Sequence, residues 1–318
     1  MRGVFLDLET VDRGDLELAL LEATPVDWTF HGNTAPDEIH HRIREAEIVI
    51  SNKVGLDRAA IQSANRLRLV CVAATGTDKI DLDTAGKQNI SVCNVTGYAT
   101  PSVVEHVFSQ ILMLNRRLLE YRRALEQGHW QTADHFSLLA FPVRELAGLT
   151  LGIIGYGELG RAVAVMGKAF GMEIRVAERR GSATRPGRTP LETLLANADI
   201  VSLHCPFTSE TRNLIDAGEL DLMRDDAILI NTARGGIVNE GALLSALQSG
   251  RIAGAAIDVL QEEPPRNGSP LLEVSLPNLL VTPHIAWAST RARQRLIDGV
   301  AANIRAWLDG TPRNIVRA

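Results

Sequence analysis

The sequence has few cysteines and no excess of positive charge, and each shortage excludes a class of protein. Its 318 residues include three cysteines, Cys71, Cys93 and Cys205, which lie far apart in the sequence and lack metal-ligand spacing. Reduced core cysteines of this kind favour a cytoplasmic protein. The 33 basic and 38 acidic residues give a net charge of -5, so the chain has no general cationic surface for nucleic acid or anionic lipid.

Long apolar runs and metal-binding motifs are also missing. No stretch reaches the roughly 18 apolar residues of a membrane span, and Asp7 and Glu9 stand where a signal peptide needs an apolar run. We therefore expect a soluble protein without a membrane partner. The eight histidines form no H-E-x-x-H or comparable cluster, so no metal is expected.

Short apolar runs alternate with amphipathic segments through most of the chain, a pattern typical of parallel α/β sheets. The length and the 45% hydrophobic content suffice for two cores. A long helical pattern over 103–126 separates two series of strands, a last helical segment spans 291–308, and 181–190 reads as a solvated connection. The expected strands are 4–8, 47–51, 67–72 and 90–95 in the first series, and 149–154, 173–177, 200–204, 227–231, 253–259 and 279–282 in the second.

A glycine-rich loop opens the second series. Gly155, Gly157 and Gly160 follow an apolar strand in the order G-x-G-x-x-G and precede an amphipathic segment. Glycines let the backbone approach a pyrophosphate, and a helix N-terminus presents unpaired N–H groups and partial positive charge to it. Glu178 ends the next strand, at the spacing of an acidic residue that binds a ribose. A tight turn without a ligand is the alternative.

The residues around Glu178 leave the choice between NAD and NADP open. The Glu178 carboxylate could accept hydrogen bonds from both adenosine ribose hydroxyls and would repel a 2′-phosphate, which favours NAD. Arg179 and Arg180 follow directly, and either could bind that phosphate if Glu178 turned away. Both arginines could instead face solvent. We expect NAD, with NADP as the alternative.

Polar residues follow the strands of the second series, and open α/β sheets bind ligands beyond the carboxyl ends of their strands. Arg234 follows one buried strand, Glu263 lies in a proline-stiffened loop after the next, and His284 follows a third. Gly235 and Gly236 let the chain turn beside Arg234 without crowding a ligand. The structural alternatives are an arginine at a helix C-terminus, a solvated glutamate and a core histidine.

An arginine, a carboxylate and an imidazole together suit the reduction of a ketone. Hydride transfer creates an alkoxide that needs a proton, and a histidinium donates one near neutral pH. A nearby carboxylate stabilises the protonated imidazole and fixes its tautomer. An arginine binds a substrate carboxylate through two hydrogen bonds and polarises the neighbouring carbonyl. The residues therefore predict this chemistry if Arg234, Glu263 and His284 meet in space.

These motifs also resemble those of a known family. The glycine loop, the NTARGG sequence at 231–236, the segment 258–264 and the TPH sequence at 282–284 match, in order and spacing, the D-isomer-specific 2-hydroxyacid dehydrogenases. The similarity covers essentially the whole chain. Within the family, VAATGTD at 72–78, Tyr98 and HIAWAS at 284–289 are most similar to members that interconvert hydroxypyruvate and D-glycerate.

The resemblance implies an activity and leaves two alternatives. The implied reaction is the reduction of hydroxypyruvate to D-glycerate, and of glyoxylate to glycolate, with NADH or NADPH. One alternative is another D-2-hydroxyacid dehydrogenase, of the phosphoglycerate or D-lactate type. The other is a dinucleotide-sensing binding protein, similar to the transcriptional corepressors that share this scaffold.

The resemblance also implies roles for residues at matching positions. Arg234 would bind the substrate carboxylate, Glu263 would pair with the histidine, and His284 would donate the proton. The substrate carboxylate would also be held by the backbone of Ala74, Thr75 and Gly76, in a cleft lined by Asn52 and Lys53. The implied cofactor contacts are Thr100, Gly155, Gly157, Glu158, Leu159, Gly160, Glu178, Arg179, Pro206, Thr232, Ala233, Asp258 and His284.

The implied fold consists of two doubly wound parallel-sheet α/β domains. A Rossmann nucleotide-binding domain at 99–287 would be inserted into a flavodoxin-like substrate domain at 1–98 plus 288–318. Members of the family are usually homodimers through the segment that corresponds to 103–141. An intramolecular core is the alternative use for the apolar residues of that segment, which exceed the need of one solvent-facing helix: Leu112, Leu114, Leu118, Leu119 and Tyr121.

Overall fold

A computed structural model describes residues 1–317 and divides the chain into two compact units. The first unit comprises Met1–Ala99 with Trp287–Ala318, and the second comprises Thr100–Ala286. Every strand pair in both sheets is parallel. The predicted class, two doubly wound parallel-sheet α/β domains, is therefore confirmed.

The described residues form two sets of elements. The strands are β1 (Arg2–Phe5), β2 (Asp27–Phe30), β3 (Ile48–Ser51), β4 (Leu69–Val72), β5 (Ser91–Cys93), β6 (Thr150–Ile154), β7 (Glu173–Val176), β8 (Ile200–Leu203), β9 (Ile228–Asn231), β10 (Gly254–Ile257) and β11 (Leu279–Val281). The helices are α1 (Ala19–Glu22), α2 (Ile39–Ile43), α3 (Arg58–Ser63), α4 (Leu82–Lys87), α5 (Thr100–Asn115), α6 (Leu118–Glu126), α7 (Glu158–Ala169), α8 (Leu191–Asn197), α9 (Ala217–Leu222), α10 (Glu240–Gln248) and α11 (Thr290–Leu308).

The first unit contains a five-stranded sheet in the order β2-β1-β3-β4-β5. This is the order of flavodoxin-like folds, and the strand order reverses between β1 and β3. All residues of β3 and β4 are buried, as expected for central strands covered on both faces. The long helix α11 contributes Leu296, Ile297 and Val300 to a core that includes Phe5 of β1 and Ile48 of β3.

The second unit contains a six-stranded sheet in the order β11-β10-β9-β8-β6-β7. A single parallel bridge between Ala177 and Thr189 extends it beyond β7. The order reverses between β6 and β8, so the crevice where doubly wound folds bind ligands lies beyond the carboxyl ends of these two strands. The glycine loop follows β6, and His204 follows β8.

Three features of the local structure were not expected from the sequence. The helical pattern over 103–126 is broken into α5 and α6, because Arg117 adopts a left-handed conformation with φ of 54°. The edge strand β2 was not predicted, since its burial alternates between exposed and half-buried residues. The segment 181–190 is exposed over most of its length, as expected, but it also makes specific contacts: Thr189 bridges to Ala177, and Arg185 binds the Glu178 carboxylate.

Two features of residues 1–317 concern the membrane and metal partners that the sequence did not predict. No helix in this range is long and apolar enough to cross a membrane. Within the same range, no group of three or more His, Cys, Asp or Glu side chains is arranged to hold a metal ion. The three cysteines are free, although Cys71 and Cys93 are direct neighbours on β4 and β5.

Candidate active site

Three candidate residues follow three adjacent strands of the second unit. Strands β9, β10 and β11 are neighbours in the parallel sheet, so their carboxyl ends lie along one edge. Arg234 comes shortly after β9, Glu263 lies in the loop after β10, and His284 comes shortly after β11. The order of the strands thus places the three loops side by side.

Direct contacts join these loops. A methyl group at Gly235 would lie 1.7 Å from the carbonyl oxygen of Leu260, so only glycine allows the loops after β9 and β10 to pack this closely. The Leu260 N–H donates to Glu263 Oε1 at 2.9 Å. Glu263 Oε2 lies 2.7 Å from Nδ1 of His284. A chain of contacts therefore runs from the turn beside Arg234 to the imidazole.

Asp258 fixes the backbone that carries His284. The Asp258 carboxylate is fully buried and accepts the N–H groups of Ile285 and Ala286, both at 2.9 Å, and the Thr282 hydroxyl at 2.6 Å. The His284 N–H donates to the Asp258 carbonyl at 2.8 Å, and His284 itself has a φ of 55°. Such a left-handed conformation is uncommon outside glycine and persists where the surroundings over-determine it. The Asp258 carboxylate therefore holds the backbone of the loop that carries His284.

The turn that presents Arg234 is organised by a residue that the sequence did not single out for a role. Asn231, the buried last residue of β9, accepts the Ala233 N–H at 3.1 Å and donates its amide to the Arg234 carbonyl at 3.1 Å. The half-buried Arg234 guanidinium donates to the Ala233 carbonyl at 2.7 Å through Nη1. In the sequence, an asparagine placed between a buried strand and an arginine is the feature that could have indicated this turn.

The glycine loop has the geometry that a dinucleotide needs. Gly155 has a φ of 94°, and a Cβ there would lie 2.5 Å from the backbone of His204 and Cys205. A Cβ at Gly160 would lie 2.1 Å from the Gly155 carbonyl oxygen. A Cβ at Gly157, in contrast, would meet no atom within 4 Å. The first and third glycines thus permit tight packing, whereas the second faces open space, as close approach of a pyrophosphate requires.

The start of α7 offers further features that fit a dinucleotide. Gly157 caps α7 without a side-chain hydrogen bond, so the first N–H groups of this 12-residue helix have no side-chain cap. Glu158 and Leu159 form its first turn, and the Thr100 hydroxyl donates to the Glu158 carboxylate. The residues therefore fit the phosphate groups of a nucleotide, with Glu158 held to one side by Thr100.

Buried polar atoms without partners mark the neighbouring strand ends. Within the described residues, Thr232 Oγ1 and His204 Nδ1 are buried and have no hydrogen-bond partner. Such atoms are costly unless a ligand or water satisfies them. Burial lowers the pKa of His204 to about 4, so this histidine is neutral at pH 7 and unsuited to donate a proton there. The remaining predicted contacts differ in exposure: Pro206 is exposed and Ala233 is buried.

Glu178 lies at the end of β7 with its carboxylate almost fully buried. The Arg185 side chain contacts it at 2.6 and 2.7 Å, and the Arg179 N–H donates to it at 2.9 Å. The hydrogen bonds from the Arg185 guanidinium are the main reason that the pKa of Glu178 falls to about 2. Arg185 was not recognised in the sequence because six residues of apparent loop separate it from Glu178.

The substrate-binding candidates of the first unit lie after β3 and β4, which are neighbours in that sheet. The loop after β3 is held by Asp7, whose buried carboxylate accepts the N–H groups of Asn52 at 2.9 Å, Lys53 at 2.6 Å and Val54 at 3.1 Å. The sequence did not assign Asp7 a role, although an aspartate just after a strand at the point of reversal is a signal for one.

The loop after β4 contains the other candidates. Ala74 is buried, Gly76 is half-buried and Thr75 is exposed. The Thr75 hydroxyl donates to the Val95 carbonyl at 3.0 Å, and the Asn94 amide donates to the Thr75 carbonyl at 2.6 Å. These bonds tie the Ala74–Gly76 loop to the residues that follow β5 and restrict its backbone.

Glycine substitutions separate the packing role of the loop from its ligand role. We expect Gly157→Ala to leave the melting temperature unchanged, because its methyl group meets no atom, and to weaken nicotinamide cofactor binding by at least about 1.4 kcal/mol, or tenfold. Gly160→Ala should destabilise the protein by about 1–3 kcal/mol, because its methyl group overlaps a backbone carbonyl. Calorimetry and cofactor titration measure the two quantities. Unaltered affinity in Gly157→Ala would contradict pyrophosphate binding at this loop.

Comparison with known proteins gives a consistent assignment. Residues 108–286 match the NAD binding domain of the D-isomer specific 2-hydroxyacid dehydrogenases. The chain is 41% identical to a glycerate dehydrogenase of Methylorubrum extorquens over 316 residues, covering 99% of this chain and 98% of that protein. It is 32% identical to a hydroxypyruvate reductase of Blautia hydrogenotrophica, with 99% of each chain covered.

A solved structure agrees with the sequence comparisons. D-lactate dehydrogenase from Aquifex aeolicus, complexed with NAD and lactic acid, superposes with a TM-score of 0.83 at 28% identity, and 99% of each chain is covered. Together with the glycine loop and the sheet orders, these matches identify the chain as a member of the D-isomer-specific 2-hydroxyacid dehydrogenase family, an NAD-dependent oxidoreductase that acts on a CH–OH group.

Proposed function

We propose that this protein reduces hydroxypyruvate to D-glycerate, and glyoxylate to glycolate, with NADH as the hydride donor and NADPH as the alternative. The observation that carries the proposal is the contact between Glu263 and His284, which provides a carboxylate-supported imidazole at the edge of a nucleotide-binding sheet. The relatives named glycerate dehydrogenase and hydroxypyruvate reductase, which align over nearly their whole length, support the choice of substrate.

The proposed catalytic groups bind and protonate the keto acid. NADH supplies a hydride to the keto carbon when it is bound. Arg234 binds the substrate carboxylate through the two-bond fork of its guanidinium and polarises the adjacent carbonyl. Protonated His284 gives the proton of Nε2 to the carbonyl oxygen, while Glu263 holds Nδ1–H and stabilises the imidazolium. Oxidation of the hydroxy acid uses the same groups with His284 as the base.

The remaining residues divide between cofactor and substrate. The amides of Glu158 and Leu159 would hold the pyrophosphate at the loop of Gly155, Gly157 and Gly160, and the adenosine ribose would lie at the end of β7, beside Glu178 and Arg179. The nicotinamide half would be bound around Thr232, whose hydroxyl has no hydrogen-bond partner among residues 1–317. The further proposed cofactor contacts are Thr100, Pro206, Ala233, Asp258 and His284.

We propose further substrate-binding residues in the first unit. Ala74, Thr75 and Gly76 offer N–H groups in a loop tied by side-chain bonds, and Asn52 and Lys53 occupy the neighbouring strand end. We accordingly propose a substrate domain of residues 1–98 plus 288–318 and a cofactor domain of residues 99–287. The free cysteines support a reducing, cytoplasmic location.

A paired assay tests the substrate and the cofactor together. We expect hydroxypyruvate, and more weakly glyoxylate, to oxidise NADH. The reaction is monitored by the loss of absorbance of the reduced nicotinamide. Pyruvate and 3-phosphohydroxypyruvate serve as the comparison substrates for D-lactate and phosphoglycerate types. Faster turnover of either comparison substrate would overturn the assignment. Cofactor binding without oxidation by any small 2-keto acid would instead support the sensor alternative.

Two substitutions separate proton donation from substrate binding. His284→Ala should lower kcat for hydroxypyruvate by about 10²–10⁴-fold while leaving the Kd for NADH nearly unchanged, because only the proton donor is lost. Arg234→Lys should lower kcat/KM by at least about tenfold, since a point charge does not reproduce the guanidinium fork. Steady-state kinetics and cofactor titration give both quantities. Equal loss of turnover and cofactor affinity in His284→Ala would indicate a structural role.

We also propose a homodimer formed through α6 and the segment that follows it. Large apolar side chains are exposed there to an extent unusual for a monomer surface: Phe136 is 92% exposed and Leu139 is 86% exposed. Leu118, Leu125 and Trp130 add to the same part of the chain, each more than 40% exposed. A second copy of the chain would remove this area from water.

The dimer is tested by light scattering after gel filtration. The native protein should elute with about twice the mass of the 34.6 kDa chain. Phe136→Ser combined with Leu139→Ser should shift it to the monomer mass, because the exposed apolar area is lost. Leu20→Ser, at a 49% exposed position in α1, is the matched control and should remain dimeric. A monomeric native protein would refute the dimer.

A further inference from the structure

Four arginines and one glutamate follow β7 within a short stretch of chain. The arginines are Arg179, Arg180, Arg185 and Arg188, and the glutamate is Glu178. This is where a doubly wound fold contacts the adenosine ribose of a dinucleotide, so the local charge decides whether a hydroxyl or a phosphate is preferred at the 2′ position. The contacts of each arginine therefore determine how much positive charge is available to a phosphate.

The carboxylate of Glu178 has no acceptor capacity left. Oε1 accepts the Arg179 N–H at 2.9 Å and Nη2 of Arg185 at 2.6 Å, and Oε2 accepts Nε of Arg185 at 2.7 Å and the Arg185 N–H at 3.2 Å. An ionised carboxylate has about four lone-pair sites, and all are used here. Only 2% of the Glu178 side chain is exposed. A ribose hydroxyl could bind this carboxylate only by displacing Arg185.

Arg185, in contrast, retains capacity for an anion. It binds Glu178 through Nε and one N–H of Nη2, which leaves three of the five guanidinium N–H groups directed elsewhere. Its side chain is 62% exposed despite the ion pair. A guanidinium placed in this way can bind a phosphate while it also cancels the charge of the carboxylate behind it.

The other three arginines differ in their availability. Arg180 is paired with Glu219 of α9. Arg188 lies over the ring of Tyr156 in the glycine loop, 5.0 Å from its centroid. The Arg179 side chain is exposed and forms no ion pair with any carboxylate of residues 1–317. Arg185 and Arg179 are thus the two cations best placed to meet a phosphate next to Glu178.

We infer that Arg185 determines the cofactor preference: by saturating Glu178 and presenting its remaining N–H groups with Arg179, it makes the site accept the 2′-phosphate of NADPH at least as well as the ribose hydroxyl of NADH. The inference rests on the proposed use of a nicotinamide cofactor, but it concerns binding alone. It therefore does not depend on which keto acid is reduced.

The test is titration of the full-length protein with NADH and with NADPH in the absence of any keto acid. Binding is measured by the fluorescence of the bound nicotinamide. The native protein should bind NADPH as tightly as NADH or more tightly. Arg185→Ala frees the Glu178 carboxylate, so the Kd for NADPH should rise by about tenfold or more while the Kd for NADH stays unchanged or falls. Adenosine 2′,5′-bisphosphate should lose affinity in parallel with NADPH, because it carries the same phosphate.

Arg175→Ala is the matched control, because it removes an exposed arginine on β7 that pairs with Glu173 instead of Glu178. It should change neither Kd. If Arg185→Ala does not fold, Arg185→Lys tests the inference instead. Lysine keeps the charge but cannot make the paired hydrogen bonds of the guanidinium, so the Kd for NADPH should still rise relative to the Kd for NADH. Native protein that binds NADH far more tightly than NADPH, or variants in which the ratio of the two Kd values does not move, would overturn the inference. Failure to reduce hydroxypyruvate would leave this outcome untouched.

Discussion

The carboxylate of Glu263 is the group on which the proposed chemistry depends most. One of its oxygens accepts the Leu260 N–H, and the other lies 2.7 Å from Nδ1 of His284. It therefore joins the loops after β10 and β11, and it stabilises the charge that the imidazole must carry before it gives up a proton. The Leu260 carbonyl in turn packs so closely on Gly235 that the turn beside Arg234 is set by the same loop.

Both units use one structural device at the carboxyl ends of their strands. A buried aspartate follows a central strand and accepts backbone N–H groups of a loop: Asp7 holds Asn52 and Lys53, and Asp258 holds the residues after His284. A buried carboxylate that accepts several N–H groups is satisfied, so it costs little and restricts the backbone. The more exposed residues on these loops can then meet ligands without disturbing the sheets. In both units, a buried carboxylate therefore holds the loop backbone, and the more exposed side chains of the same loop are available to ligands.

Much of this architecture could be predicted from the sequence, because buried parallel strands are continuous apolar runs and the glycine spacing has a direct geometric cause. The elements that escaped prediction lack such signals. Strand β2 is an edge strand with alternating exposure, and the break at Arg117 depends on a left-handed residue that no periodicity reveals. The pairing of Arg185 with Glu178 requires a loop to fold back, which depends on its three-dimensional course. The role of Asp7 was missed for the same reason, since the backbone groups of Asn52 and Lys53 come near it only in the fold. Asn231 differs, because it acts locally on the backbone of Ala233 and Arg234.

The most direct test is a crystal structure of the protein with its reduced cofactor and a 2-keto acid analogue that cannot be reduced. We predict that Nε2 of His284 lies within about 3.2 Å of the keto oxygen while Nδ1 remains on Glu263, with both carboxylate oxygens of the analogue on Arg234. An imidazole directed away from the nicotinamide ring in this complex, with another group donating to the keto oxygen, would contradict the proposal.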